Sequence, residues 1–175
     1  MMSQPMMRWD NDDMPLELLI LVGLQGSGKS SFYREWFAST HVHVSRDNFR
    51  HNRNPERRQR QLLKQAFAEG KSAVVDNTSP TQEDRKPLVA LGKEAGAVVV
   101  SYFFPASAQE CVARNAAREG HSRVPDVAIY ATQSRLVRPA STEGYDRMYE
   151  VYARAGTGFE IVQIWPGGMI VADAS

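Results

Sequence analysis

The sequence predicts an α/β fold in which helices flank a central parallel sheet. Short apolar runs alternate with longer segments of helical periodicity, and the first apolar run leads directly into a glycine-rich loop. Polar residues follow the second and third apolar runs. Because a strand, a crossover helix and a parallel strand form one right-handed unit, this alternation favours a parallel sheet.

Five strands are predicted, and each is an apolar run closed by a glycine, a proline or a polar cluster. They cover residues 16–22, 42–44, 73–75, 98–104 and 159–165. The first contains one charged residue, Glu17, and ends at Gly23, as expected of a strand that is buried on both faces. The second and third end in polar clusters that begin at Ser45 and Asp76, and a proline follows each of the last two.

Five helices are predicted between and after these strands. They cover residues 30–38, 56–69, a stretch from beyond Thr81 to about 95, residues 107–117 and residues 126–137. Pro55 suits the first turn of the second helix, and Gly70 ends it. Pro87 lies within the third helix and argues against it, because an internal proline removes a backbone hydrogen bond. The polar segment 118–125 is predicted to be a loop.

The composition predicts a single globular domain. The 175 residues are 42% hydrophobic and 23% charged, and the formal net charge is +1, so the total charge indicates neither a nucleic acid nor a membrane partner. The single cysteine, Cys111, excludes a disulfide framework or a multi-cysteine metal cluster. No apolar run has the length of a membrane span. We expect a cytoplasmic protein with a flexible tail over residues 1–14 and one domain over residues 15–175.

The glycine-rich loop has the sequence GLQGSGKS and fits the phosphate-loop pattern G-x-x-x-x-G-K-[S/T]. Glycines let the backbone approach phosphates, and successive N–H groups together with the next helix N-terminus attract anions. The pattern predicts that Lys29 reaches the β- and γ-phosphates of ATP and that Ser30 binds Mg²⁺. The residues expected to hold the nucleotide are Gly23, Gln25, Gly26, Ser27, Gly28, Lys29 and Ser30. The alternative is a turn that binds nothing, and the flanking strand and helix argue against it.

Polar residues follow the second and third strands, at the edge where parallel sheets bind ligands. Asp47 could accept a proton from an attacking hydroxyl, and Arg50 could hold an anionic group of the acceptor. An equally weighted alternative makes Asp47 or Ser45 a helix cap and leaves Arg50 as a solvated charge. Asp76 has the position of a Walker B aspartate that supports Mg²⁺, with a helix cap as its alternative, and Thr78 could face the substrate.

Arg114, Arg118 and Arg123 lie in or just before the polar loop, which we predict to be a lid at about residues 117–125. Arginines stabilise the charge on a transferred phosphoryl group, and a closing loop excludes water. Arg118 or Arg123 is the better candidate for contacting ATP, because each lies at the helix end or in the loop. The alternative, which must hold for some of these arginines, is a solvated helix face.

The segment from Arg50 to Lys64 carries six basic residues against one acid. It suits a phosphate-rich acceptor such as a nucleic acid, and it suits a solvated helix face equally well. The four histidines do not have metal-ligand spacing. His41 and His43 alternate with valines, so we assign them to one face of a strand.

Taken together, several motifs resemble the kinase domain of 5′-hydroxyl polynucleotide kinases. They are VHVSRD at residues 42–47 followed by Arg50, and VVDNTSP at residues 74–80. The similarity continues at residues 114–115, 124–125 and 143–145, and it extends over roughly residues 17–165. The chain resembles the kinase part of polynucleotide kinase–phosphatases and AAA_33-like ATP-binding P-loop kinases.

The resemblance implies a P-loop kinase fold with central strand order 2-3-1-4-5 and a small lid. It also implies that Asp47 is the general base on a 5′-OH, that Arg50 contacts an acceptor phosphate and that Thr78 lies beside the acceptor. Arg118 would be the lid arginine, and Lys29 and Ser30 would bind ATP and Mg²⁺. The sequence has no D-x-D-x-T phosphatase motif, so 3′-phosphatase activity is not expected.

Three functions remain open from the sequence. The first is ATP-dependent phosphorylation of a 5′-OH end of DNA or RNA. The second is a small-molecule kinase that acts on a nucleoside, a sugar or a nucleotide-sugar, as zeta-toxin-like proteins do, or on another small phosphorylated acceptor. The third is a nucleotide-dependent switch without acceptor chemistry. The candidate base Asp47 argues against the switch, because a switch needs no carboxylate beside a hydroxyl site.

Overall fold

The computed structural model describes residues 14–156, 158–165 and 170–171. The tail predicted over residues 1–14 lies outside this part of the chain, except for Met14. The described strands form one sheet in the order β2-β3-β1-β4-β5-β6-β7. Their bounds are β1 Glu17–Gly23, β2 Val42–Val44, β3 Ala73–Asp76, β4 Val98–Phe104, β5 Arg147–Arg154, β6 Gly158–Trp165 and β7 Ile170–Val171.

The described α-helices lie within one or two residues of their predicted bounds. They are α1 Lys29–Trp36, α2 Pro55–Ala68, α3 Gln82–Glu94, α4 Ala108–Ala116 and α5 Asp126–Arg135. Pro87 lies inside α3 without ending it. A capping box formed by Thr81 and Asp84 starts this helix, and Leu88 and Leu91 are buried from it. The local cost of an internal proline is therefore offset by the cap and by tertiary packing.

Strands β2, β3, β1, β4 and β5 pair in parallel, which confirms the predicted order 2-3-1-4-5. The predicted last strand, residues 159–165, is β6, and it pairs antiparallel with β5 rather than forming the fifth parallel strand. The fifth parallel strand is β5, which the sequence did not indicate. Arg147, Glu150 and Arg154 interrupt its apolar pattern, and Glu150 is buried in an ion pair with Arg138.

The centre of the sheet is β1, whose residues 18–22 are at most 1% exposed. Its side chains alternate between the two faces, as the period of a strand requires. Leu18 and Ile20 pack in a cluster with Leu63 of α2 and Leu88 of α3. Leu19 and Leu21 pack on the other face with Phe32 of α1. This two-sided burial holds the ends of β1, β2 and β3 together at the carboxyl edge of the sheet.

Candidate active site

The segments that follow β1, β2 and β3 line one cleft of about 1460 Å³ at the carboxyl edge of the sheet. The segment after α4 forms its opposite wall. The cleft brings together eight of the predicted site residues besides Gly26, namely Gln25, Lys29, Ser30, Asp47, Arg50, Asp76, Thr78 and Arg118. Gly23, Ser27 and Gly28 lie in the loop beneath it, and Arg123 is not among the lining residues.

The phosphate loop needs glycine at two positions for reasons that the structure makes explicit. Gly26 and Gly28 have φ values of 83° and 102°, which residues with a Cβ rarely adopt. A Cβ on Gly26 would lie 2.7 Å from the carbonyl oxygen of Cys111, and one on Gly28 would lie 3.3 Å from Cε1 of Phe159. The loop is therefore packed against α4 on one side and β6 on the other.

Lys29 is buried at the start of α1, with its side chain turned back over the loop. Its Nζ donates hydrogen bonds to the carbonyl oxygens of Gly23 at 2.8 Å and Leu24 at 2.6 Å. Burial lowers the pKa of Lys29 to about 8, although the nearby carboxylate of Asp76 opposes this change. A phosphate group beside Nζ would supply the missing counter-charge, which is what the phosphate-loop pattern predicts for this lysine.

Ser30 and Asp76 lie in direct contact. The hydroxyl of Ser30 donates to Oδ2 of Asp76 at 2.7 Å. Burial raises the pKa of Asp76, but hydrogen bonds from His43 and Ser30 and the charge of Lys29 outweigh it, so the pKa lies below its ordinary value. A hydroxyl and an ionised carboxylate are oxygen donors of the kind that Mg²⁺ prefers, so this pair fits the predicted metal.

His43 is a site residue that the sequence analysis missed. His43 lies on β2 and His41 directly before it, and their surroundings differ. His41 Nε2 lies 3.3 Å from Oε2 of Glu17, whereas His43 lines the cleft with its Nε2 2.9 Å from Oδ2 of Asp76. Its ring stacks on Tyr33 at 4.2 Å. The available signal was that His43 lies one residue before the end of β2, the strand that leads into the cleft.

Asp47 lies on a short 3₁₀ turn, Arg46–Phe49, that follows β2, and Arg50 comes directly after this turn. Ser45 caps this turn by accepting a hydrogen bond from the backbone N–H of Asp47 at 3.3 Å. Of the two predicted capping residues, Ser45 therefore takes that role, and the side chain of Asp47 stays 76% exposed. Asp47 Oδ1 lies 3.3 Å from Arg50 Nη2, and Arg50 also donates to the carbonyl oxygen of His121 across the cleft at 3.3 Å.

The protein family follows from this loop and its surroundings. The chain matches the AAA_33 family model, described as an AAA domain, over residues 18–139. This chain belongs to the AAA_33 family. The match contains the phosphate loop, the segments after β2 and β3 and the segment predicted to be a lid, and membership of this P-loop kinase family supports nucleotide binding.

Two curated proteins are similar to this AAA_33 chain in sequence. The bifunctional polynucleotide phosphatase/kinase of Schizosaccharomyces pombe is 28% identical over 141 residues, which are 77% of this chain and 33% of that protein. The putative bifunctional polynucleotide phosphatase/kinase of Acanthamoeba polyphaga mimivirus is 26% identical over 142 residues, again 77% of this chain and 33% of that protein. The chain therefore spans about a third of the length of each of these two relatives.

A solved structure shows the same fold at lower identity. The crystal structure of a sugar kinase from Janibacter sp. HTCC2649 has a TM-score of 0.58 and 17% sequence identity, and the alignment covers 78% of this chain and 86% of that one. In the part of the AAA_33 chain that the structure describes, no helix is long and apolar enough to cross a membrane. The described residues also contain no group of three or more His, Cys, Asp or Glu side chains arranged around a metal ion.

The segment after β3 in this AAA_33 domain is tied to both neighbouring walls of the cleft. The side chain of Asn77 accepts from the backbone N–H of Arg46 at 3.0 Å and donates to Oε1 of buried Gln59 at 2.6 Å. The carbonyl oxygen of Thr78 accepts from the N–H of Gly23 at 3.1 Å. Because Thr81 caps α3, the alternative that Asp76 caps this helix is wrong.

The predicted lid segment is anchored at its base by Asn115. This buried side chain donates to the carbonyl oxygen of Val124 at 2.7 Å and accepts from the N–H of the same residue at 3.0 Å. Arg118 faces the cleft and donates to the carbonyl oxygen of Ser122 at 3.4 Å. Arg114 reaches the carbonyl oxygen of Gly26 at 3.5 Å. Arg123 is exposed and lies outside the cleft lining, so of the two preferred arginines only Arg118 has the expected placement.

The cleft carries more basic than acidic side chains. Six are basic, against three aspartates at positions 47, 76 and 84, and the basic residues are Lys29, Arg34, Arg46, Arg50, Arg118 and Arg135. Of the basic stretch predicted from the sequence, only Arg50 lines the cleft. Its other members are exposed on or just before α2, and they are Arg53, Arg57, Arg58, Arg60 and Lys64.

Proposed function

We propose that this AAA_33 domain transfers the γ-phosphate of ATP to a hydroxyl group, and that its acceptor is the 5′-OH end of DNA or RNA. The observation that carries the proposal is the ion pair between Asp47 and Arg50. This pair lines the same cleft as Lys29 and Ser30. It offers a carboxylate for the hydroxyl proton next to a cation for an acceptor phosphate. The similarity to two polynucleotide phosphatase/kinases supports the nature of the acceptor.

The contacts described above suggest a role for each residue that would face the nucleotide. The loop amides and the N-terminus of α1 bind the ATP phosphates, and Lys29 exchanges its carbonyl partners for phosphate oxygens. Ser30 and Asp76 would hold Mg²⁺, which neutralises the charge on the β- and γ-phosphates when it is bound. Arg118 faces the cleft from the segment anchored by Asn115, where it would stabilise the charge on the transferred group.

The roles of the acceptor side follow from exposure and charge. Asp47 is exposed, so an incoming hydroxyl can reach its carboxylate and donate its hydrogen to it. Arg50 would bind the phosphate that follows the first nucleotide, and Thr78 lines the wall between this pair and the loop. We also propose that residues 15–175 act as one domain and that residues 117–125 are its lid.

One assay tests the proposal directly. The protein is incubated with γ-labelled ATP, Mg²⁺ and single-stranded DNA or RNA that carries a 5′-OH, and we expect label on the 5′ end. An otherwise identical oligonucleotide with a 5′-phosphate is the matched control and should take up no label. Turnover of ATP without transfer to either DNA or RNA would overturn the polynucleotide acceptor.

A small-molecule acceptor is the second candidate, because a specific observation favours it. The five basic residues on and before α2 do not line the cleft, so Arg50 alone of that basic stretch is placed to meet an acceptor phosphate, and it requires only one phosphate next to the hydroxyl. A nucleoside 3′-monophosphate would satisfy that requirement as well as a strand. Comparing kcat/KM for a nucleoside 3′-monophosphate, a dinucleotide and a longer oligonucleotide separates these acceptors. We expect a rise with length for a polynucleotide kinase and none for a small-molecule kinase.

A further inference from the structure

The candidate nucleotide site contains a hydrogen bond between His43 and Asp76, and the proposed function gives His43 no role. Oδ2 of Asp76 accepts two hydrogen bonds, one from Ser30 Oγ at 2.7 Å and one from His43 Nε2 at 2.9 Å. Asp76 itself is only 5% exposed. Three elements therefore meet at one carboxylate oxygen, since Ser30 lies on α1, His43 on β2 and Asp76 on β3.

The chemistry of the carboxylate determines where the hydrogens lie. An ionised carboxylate can only accept hydrogen bonds, so both Ser30 Oγ and His43 Nε2 must donate. The hydroxyl hydrogen of Ser30 is therefore committed to Asp76, and its oxygen lone pairs are free to face the cleft that Ser30 lines. A cation that binds this oxygen needs that orientation, because a hydroxyl hydrogen pointing into the cleft would repel it.

The ring of His43 is itself held in place. It stacks on Tyr33 at a centroid distance of 4.2 Å and an interplanar angle of 19°. The hydroxyl of Tyr33 donates to the carbonyl oxygen of His41 at 3.0 Å, so this residue of α1 is also bonded to the chain just before β2. The imidazole thus approaches Asp76 from a fixed direction, and the bond between them restricts rotation of the carboxylate.

We propose that His43 is a positioning residue which, through Asp76, orients the hydroxyl of Ser30 toward the Mg²⁺ of a bound nucleotide. The inference rests on the nucleotide site of the proposed function and is independent of the acceptor. Partners of this kind, which bind a ligand residue rather than the metal, typically change metal affinity about 10- to 100-fold when they are removed. In this proposal the hydrogen-bond donor of His43, rather than its aromatic ring, increases the affinity for Mg²⁺.

Two substitutions separate the donor from the ring. His43→Phe keeps a ring that can stack on Tyr33 but removes the donor, whereas His43→Gln keeps an N–H at the ε position and removes the ring. The affinity of each protein for a fluorescent N-methylanthraniloyl ADP is measured in Mg²⁺ and in EDTA. We expect wild type and His43→Gln to share the same Mg²⁺-dependent gain, and His43→Phe to lose about 10-fold or more of it with unchanged affinity in EDTA.

The same measurements contain the outcomes that contradict the inference. It is overturned if His43→Phe retains the full Mg²⁺-dependent gain, or if His43→Gln loses as much of it as His43→Phe. A double-mutant comparison adds a second check, because His43→Phe should cost less of the gain once Ser30→Ala is present. Thermal unfolding confirms that each variant is folded, and His43→Leu replaces His43→Phe if the latter is not.

The test also distinguishes this inference from the proposed function. If the wild type binds the fluorescent ADP neither in Mg²⁺ nor in EDTA, the nucleotide site fails and the inference fails with it. If the wild type shows a Mg²⁺-dependent gain that His43→Phe leaves intact, only the inference fails.

Discussion

Arg85 and Glu143 form a bidentate ion pair in the interior of the protein. Nε of Arg85 donates to Oε2 of Glu143, and Nη2 donates to Oε1, both at 2.8 Å. Arg85 is completely buried, and its Nη1 donates to the carbonyl oxygens of Ser79, Pro80 and Val137 at 2.9, 3.1 and 3.0 Å. The pair therefore joins the segment after β3, which carries Thr78, to the segment after α5.

Breaking this pair from one side should lower stability strongly. We expect Glu143→Gln to reduce the free energy of unfolding by about 3 to 5 kcal/mol, because Arg85 would keep a buried charge without its counter-ion. Chemical denaturation measures the change. Lys93→Met is the matched control, since it breaks a pair with Asp146 in which both side chains are about 40% exposed, and we expect it to cost less than about 1 kcal/mol. Equal losses in the two variants would contradict the prediction.

Two glycine substitutions separate backbone strain from the steric overlap found in the phosphate loop. Gly96, outside the loop, has a φ of 71°, and a Cβ on it would meet no atom within 4 Å. Gly26 has a φ of 83°, and a Cβ on it would lie 2.7 Å from the carbonyl oxygen of Cys111. Gly96→Ala should therefore cost only about 1 to 2 kcal/mol from its left-handed conformation. Gly26→Ala should cost about 1 to 3 kcal/mol more and should weaken nucleotide binding. Chemical denaturation measures the stability of both variants, and nucleotide titration measures their affinity. Similar losses of stability in the two variants would show that neighbouring atoms move to remove the overlap at Gly26.

Asp47→Asn should separate phosphoryl transfer from nucleotide binding. The substitution keeps the size of the side chain but removes the group that we propose to accept the hydroxyl proton, so we expect kcat to fall about 10²- to 10⁴-fold while the Kd for ATP stays unchanged. Glu94→Gln, an exposed carboxylate at the end of α3, is the control and should leave kcat unchanged. Near-normal transfer by Asp47→Asn would rule out Asp47 as the base.

The buried Lys29 should make stability depend on pH in a defined direction. Its pKa is about 8 in the folded protein against an ordinary value of 10.5, so between these values the unfolded chain binds the proton that the folded protein has lost. Stability therefore rises as the pH increases from 8 toward 10.5, and the cost of burying the charge is fully present below pH 8.

Lys29→Met provides the comparison for this effect. Between pH 7 and pH 10, the free energy of unfolding of the wild type should rise relative to that of Lys29→Met by about 2 to 3 kcal/mol. The variant also loses two hydrogen bonds to loop carbonyls, so the change with pH is the quantity to measure, rather than the difference at one pH. A difference that is flat over this range would mean that Lys29 titrates normally.

Most elements of the fold could be predicted because their signals are contiguous in the chain. Periodicity, caps and glycines placed four of the five parallel strands and all the described α-helices within a few residues. The exception, β5, carries three charged residues, and the buried one, Glu150, is paired with Arg138, a residue of another segment, as well as with Tyr152 of its own strand. A local pattern cannot reveal a strand whose polar residues are satisfied by tertiary contacts.

The residues of the candidate site also divide into those that the sequence predicted and those that only the tertiary structure revealed. The sequence by itself determined the phosphate loop, since eight consecutive residues contain its glycines, its lysine and its serine, and it indicated Asp76 because strand ends meet at one sheet edge. Only the tertiary structure decided that His43 contacts Asp76, 33 residues away, and that Arg85 pairs with Glu143, 58 residues away. The reason is physical: a loop's conformation depends on adjacent residues, whereas the partner of a buried polar side chain depends on which distant segments the packed core brings together.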